Sequence, residues 1–170
     1  MNHFIKKTAL LFILLIVPVF CGFCIGAGAQ LGVIPSGESL EFSAAGTMRL
    51  DRIPIQFAFG LNGGSIDDEC IFGMGGSVDF IFLNIQIINN WNFYSAAGLG
   101  GDFYLGTNKN FYTSAGLRAL LGMDFLFMDG FLQLYFQQVI EPCFVFKNDA
   151  TYKNGLCLKF PIEAGLRFQF

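Results

Sequence analysis

The chain has 170 residues, of which 54% are hydrophobic and only 14% charged, and its formal net charge is −3. A charged share well below the roughly 25% of ordinary soluble domains means that something other than water solvates much of the surface. No surplus of lysine and arginine is available to hold phosphates, so the balance argues against a nucleic-acid partner.

In chain order, Lys6 and Lys7 precede an apolar run from Ala9 to Phe20 broken only by Pro18. These are the charged and apolar regions of a secretory signal. A leader over residues 1–24 is expected, with the cut between residues 22 and 29: at Gly22, at Cys24 or in the small-residue box Ala27, Gly28 and Ala29. The competing reading is an uncleaved anchor, since Ala9 to Ile25 is almost long enough to span a bilayer. Cys21 and Cys24 lack the small-residue pattern of a lipid-attachment site. Cleavage removes the only histidine, His3, together with Lys6 and Lys7, leaving 8 of 10 basic residues against 13 acidic ones, a net charge of −5.

Residues 25–170 hold no second apolar run of helical length and no linker, which predicts one domain. Short alternating segments separated by turn residues recur instead, the pattern of a membrane barrel. The first, Ile25 to Ile34, sets Ala27, Ala29, Leu31 and Val33 against Gly28, Gln30 and Gly32, and Pro35 to Gly37 turn it. The second alternates Leu40, Phe42, Ala44, Gly46, Met48 and Leu50 with Glu41, Ser43, Ala45, Thr47 and Arg49. The third sets Ile53, Ile55, Phe57, Phe59 and Leu61 opposite Gln56, Ala58, Gly60 and Asn62, and Gly63 to Cys70 reads as a polar loop.

The fourth places Phe72, Met74, Val78 and Phe80 against Gly73, Gly75, Ser77 and Asp79, with an irregular stretch from Ile81 to Asn90 after it. The fifth runs from Trp91 to Phe103, with Tyr94, Gly98, Gly100 and Asp102 on its polar face. The sixth opposes Ala115, Leu117, Ala119, Leu121, Met123 and Phe125 to Ser114, Gly116, Arg118, Gly122 and Asp124. Asp129-Gly130 is a hairpin signal. In the seventh, Leu132, Leu134 and Phe136 oppose Gln133, Tyr135 and Gln137, and Pro142 to Asn154 is expected to loop back. The last alternates Phe160, Ile162, Ala164, Leu166, Phe168 and Phe170 with Pro161, Glu163, Gly165, Arg167 and Gln169.

Alternation alone does not say which face is inside, but the composition of the faces does. One carries bulky Phe, Leu, Ile and Met; the other is crowded with Gly, Ala and Ser between sparse charges, which suits the narrow interior of an eight-stranded barrel. The large residues are therefore placed in lipid. That encloses Glu41, Arg49, Asp79, Asp102, Arg118, Asp124, Lys159, Glu163 and Arg167 in the lumen, where unpaired charges would cost several kcal/mol each, so they are expected to pair. A central Arg118–Glu163 bridge is predicted, with Gln133, Tyr135 and Gln137 as fillers, and Arg49, Asp79, Asp124 and Arg167 toward the periplasmic end. The alternative is that the charges meet water in a partly open channel. Cys70, Cys143 and Cys157 fall in or beside the outer loops, and Cys143 and Cys157, at the bases of the last one, are placed to form a disulfide. With three cysteines the pairing stays open.

No catalytic constellation accompanies this pattern. Without His3 no histidine base remains for a Ser/His/Asp hydrolase, so no enzymatic role is expected, and no cofactor or metal. Asp67, Asp68 and Glu69 read as a solvated acidic loop rather than a cation site, and the glycine clusters Gly73 to Gly76 and Gly98 to Gly101 lie inside strands rather than opening helices.

The leader, the opening segment GAGAQLGVIPSG, the eight alternating segments and the ending EAGLRFQF resemble the small bacterial outer-membrane β-barrel proteins, in the size class of the OmpA membrane domain, OmpX and OmpW. The resemblance implies an all-β fold, an eight-stranded antiparallel up-and-down transmembrane barrel embedded in the lipid bilayer. It also implies that Phe168 and Phe170 form a signal to the barrel-assembly machinery. The first outer loop is shorter than in such relatives, and no active-site residue carries over. Three functional readings follow: a structural or surface-interaction barrel with a plugged lumen, a narrow channel for ions or small apolar solutes, and a secreted lipocalin-like carrier with its oily face inward. The residues name no surface partner.

Overall fold

The computed structural model describes residues 25–36, 39–50, 53–66, 69–107, 111–147 and 155–170. The expected leader lies outside the described residues, as do Asp67 and Asp68. The strands are β1 (Ile25–Ser36), β2 (Ser39–Leu50), β3 (Ile55–Ile66), β4 (Glu69–Ile88), β5 (Trp91–Gly106), β6 (Phe111–Phe127), β7 (Leu132–Lys147), β8 (Gly155–Lys159) and β9 (Ile162–Gln169). Neighbours pair antiparallel in chain order, and β9 pairs with both β7 and β1, so the sheet closes on itself. β8 and β9 are two parts of one stave, giving an eight-stranded antiparallel barrel. Its stagger follows from the register: Gly28 leads through Thr47, Ala58, Ser77, Gly100, Gly116 and Cys143 to Cys157, yet Gly28 itself pairs with Arg167, ten residues further on. A shear of ten over eight staves tilts them by roughly 45°.

Closure leaves two rims. The near rim holds the starts of β1, β3, β5 and β7 and the ends of β2, β4, β6 and β9; the far rim holds the ends of β1, β3, β5 and β7 and the starts of β2, β4, β6 and β8. At the 128–131 turn, Met128 and Asp129 take positive φ of 51° and 56° and Gly130 one of 91°.

The bulky face is outside. Leu31, Phe42 and Leu117 are 70%, 58% and 63% exposed, and Phe57 and Phe168 lie on the same outer surface. Charged side chains fill the interior instead: Glu41, Asp79, Asp124, Arg118 and Arg167 are all buried. A water-soluble barrel would reverse both faces. This is the inside-out arrangement expected from the composition of the two faces, and it overturns the carrier reading with its oily interior.

Two segment boundaries differ from the sequence reading. Residues 63–66 and 69–70, expected in a loop, extend β3 and β4 as register partners. The Ile81 to Asn90 stretch, which the sequence left open between strand and turn, is both: β4 continues to Ile88, with register shifts between Ile81 and Leu83 and between Gln86 and Ile88, and Asn89 and Asn90 turn the chain. Each bulge adds a residue and resets the alternation, so Leu83 and Ile85 join Phe80 on the outer face although their parity is opposite. Pro142 to Lys147 stays in β7 and pairs with β8, so the last connection shrinks to residues 148–154.

Pro161 interrupts the last stave because it has no N–H to give to the ladder. Gln138, on the outer side of β7, donates its side-chain amide to the carbonyls of Val139 (3.2 Å) and Pro161 (3.1 Å) beside the break. In a lipid-facing wall, groups exposed by such a break have no water to turn to.

Candidate functional site

The lumen is built from the inward positions of all eight staves, and its centre is Arg118 on β6. The guanidinium reaches three carboxylates on three other strands: Nε to Asp79 Oδ1 (3.2 Å), Nη1 to Glu141 Oε2 (2.9 Å) and Nη2 to Glu163 Oε1 (3.3 Å). Arginine's planar fork spreads its donors in fixed directions, which suits three acceptors set around it. The predicted Arg118–Glu163 bridge is thus present as one arm of a larger cluster. Asp79, expected near the periplasmic end, instead joins this centre: it stands in line with Gly98 and Arg118 across β4, β5 and β6, and the tilt carries that line up the barrel. Glu141 was missed because the adjacent Pro142 read as the start of a loop.

Further ion pairs lie on either side. Toward the near rim, Arg49 Nη1 meets Asp124 Oδ2 at 3.3 Å, and Asp124 also accepts from Asn92 (2.7 Å) and Gln133 (2.7 Å). Toward the far rim, Lys159 Nζ lies 2.8 Å from Asp102 Oδ2, which accepts from Ser114 at 2.9 Å, while Tyr104 donates to Glu41. Glutamines bridge the levels. Gln56 donates to Asp79 (3.4 Å) and Gln137 (3.3 Å), and Gln137 donates to Glu163.

Arg167 has a different partner set. Its guanidinium stacks over the Tyr135 ring, 3.8 Å from the centroid, and donates to Thr47 (3.3 Å) and Gln56 (3.2 Å), while Nη1 is buried without a protein acceptor.

That stacking belongs to a unit that recurs among the described residues. Arg49 lies over Tyr94, Lys159 over Tyr104 and Arg167 over Tyr135. Each of these rings in turn lies across a glycine directly opposite on the next strand: Tyr94 on Gly122, Tyr104 on Gly73 and Tyr135 on Gly165. A ring laid flat against a strand needs a partner without Cβ, which gives these strand glycines a packing role. A Cβ on Gly122 would stand 2.3 Å from Tyr94 Cζ, and Tyr94 is fully buried. Gly122→Val is therefore expected to cost about 1–3 kcal/mol by overpacking, read as a lower urea midpoint of the refolded barrel. An unchanged midpoint would show that the ring can move.

A cavity of about 50 Å³ lies between Ser43, Ala45, Ala58 and Gly60 on one wall and Arg118 and Glu141 on the other. Such a space holds about three or four waters. Apolar layers flank the polar lattice: Ile81, Ala96, Leu120 and Val139 around Tyr94, and Ile71 with Tyr104 and Tyr112 toward the far rim.

Cys143 and Cys157 stand directly opposite each other in β7 and β8, within strands rather than in loops, and the structure holds them as thiols. Phe168 and Phe170 both point outward, with Phe131 packed 5.6 Å and 6.0 Å from their rings.

No family model and no curated protein sequence matches the chain. Among solved structures it is similar to Neisserial surface protein A, at 17% identity and a TM-score of 0.58, over 88% of this chain and 97% of that one. It also aligns with a major outer membrane protein from Thermus thermophilus at 11% identity and a TM-score of 0.48, covering 86% and 99% of the two chains. A de novo designed transmembrane β-barrel aligns at 12% identity and 0.38, covering 86% and 95%. The likeness to the Neisserial protein shows a shared fold, the eight-stranded membrane barrel.

Proposed function

We propose that this protein is an integral β-barrel of a bacterial outer membrane with a structural or surface-interaction role and a lumen plugged by its own side chains. The observation that carries the proposal is the pairing of an apolar coat with a charged, buried interior, an arrangement that only a non-aqueous surrounding stabilises. In this reading the near rim faces the periplasm, the far rim faces outward, and the closing strand from Phe160 to Phe170 engages the barrel-assembly machinery. No catalytic role is assigned to it.

Plugging is supported over the channel reading by the cross-lumen lattice around Arg118, which ties four strands together across the interior. The test combines outer-membrane fractionation with gel migration of unheated and heated protein, followed by planar-bilayer recording. Recovery in the outer-membrane fraction, faster migration before heating and no steady conductance are expected. A detergent-independent soluble protein would overturn the location, and steady single-channel currents would overturn the plug.

A further inference from the structure

The far rim carries an unevenly supported hairpin. β8 pairs with β7 from Val145–Gly155 to Glu141–Lys159, and among the described residues it has no ladder partner on its other side, where the Phe160 N–H bonds the Pro35 carbonyl of β1 just past its end (3.1 Å). β7 is itself paired with β6 as far as Tyr112–Lys147, so β8 alone forms the edge, and an open edge invites mispairing.

The two cysteines sit in the middle of this five-residue ladder. Cys143 and Cys157 are register partners, so both side chains leave the sheet on the same face, toward the lumen, and Cys143 is 2% exposed. Directly opposed residues bring their Cβ atoms to about 4.5–5.5 Å, and a disulfide needs roughly 3.5–4.5 Å. The missing fraction of an ångström is a small adjustment for an edge strand whose ladder bonds run to β7 alone among the described residues. On β6, Gly116 faces Cys143 without a side chain of its own. Cys70 cannot compete, because it projects from the outer side of β4, next to the inward Ile71.

We propose that Cys143 and Cys157 are a thiol-oxidation site whose cross-strand disulfide staples the edge strand β8 to β7. The two S–H bonds break and one S–S bond forms. The two protons and two electrons pass to the disulfide of an exported thiol oxidant, whose own S–S bond breaks as it leaves as the dithiol. The reaction belongs to the hairpin before the barrel closes, while the sulfurs are still accessible. The source of the oxidant rests on the outer-membrane reading; the geometry of the pair does not.

Trypsin separates the two cysteines, since cleavage after Arg118, Lys147, Lys153 and Lys159 places them on peptides 119–147 and 154–159. Reduced, denatured protein is refolded into phosphatidylcholine vesicles with a glutathione redox pair, blocked with N-ethylmaleimide, denatured and digested. In parallel, protein from cell membranes is blocked at lysis and digested in the same way. The expected product is the two peptides joined, two hydrogens lighter than their sum and released by reductant, with Cys70 alkylated. Amides of residues 144–146 and 155–158 should exchange about tenfold faster in the Cys143→Ser/Cys157→Ser variant, whose barrel still migrates as folded. A folded barrel with all three cysteines alkylated, or with Cys70 in the link, overturns the proposal. A linked barrel in vesicles whose cellular counterpart is absent from the outer-membrane fraction overturns the location alone.

Discussion

Replacing Arg118 with methionine is expected to destabilise the refolded barrel by about 3–5 kcal/mol, the range found when one member of a buried ionic cluster is removed. The loss is large because Asp79, Glu141 and Glu163 would remain enclosed around the vacated position, each having been within 3.3 Å of a guanidinium nitrogen. Methionine fills much of the volume, so the deficit is electrostatic rather than a cavity. Urea titration in vesicles, followed by the fraction of fast-migrating unheated protein, measures it. Adding Glu141→Gln to the Arg118→Met variant should restore part of the loss by removing one uncompensated charge, a coupling that independent sites would not show. Arg118→Lys should fall between, since one ammonium cannot reproduce three directed contacts. Full stability of Arg118→Met would mean that water already compensates the carboxylates and that the lumen is an open, hydrated path.

Its sequence neighbour should respond in the opposite sense. Leu117 points outward from the middle of β6, beside Leu99 on β5. Leu117→Arg is expected to cost about 2–4 kcal/mol in a bilayer, the range for a basic residue on the lipid face near the midplane, whereas Leu117→Phe should be nearly neutral. The same urea titration reads both. If Leu117→Arg left stability unchanged, or freed the protein from its need for detergent, the apolar coat would not be a lipid-facing surface. Adjacent residues with mirror-image sensitivities to charge form a strict test of the inside-out arrangement.

The amino-acid sequence by itself determined which side chains share a face. Alternation is a local property of an extended backbone, so the inward set of Glu41, Arg49, Asp79, Asp102, Arg118, Asp124, Lys159, Glu163 and Arg167 was legible without coordinates, as was the outward set of large residues. Only the tertiary structure decided who meets whom. Partners in the lumen depend on the hydrogen-bond register between strands far apart in the chain and on the tilt that closure imposes, which is why Asp79 joined Arg118 and Glu141 emerged as its third acceptor. The two bulges in β4 show the same limit at short range. Each inserted residue moves the following side chains to the other face, so a pattern read at constant period breaks down at Ile81 although the strand continues. The cysteines show it once more: spacing left three pairings open, and the wall of the barrel, with Cys70 outside and Cys143 and Cys157 inside, leaves one.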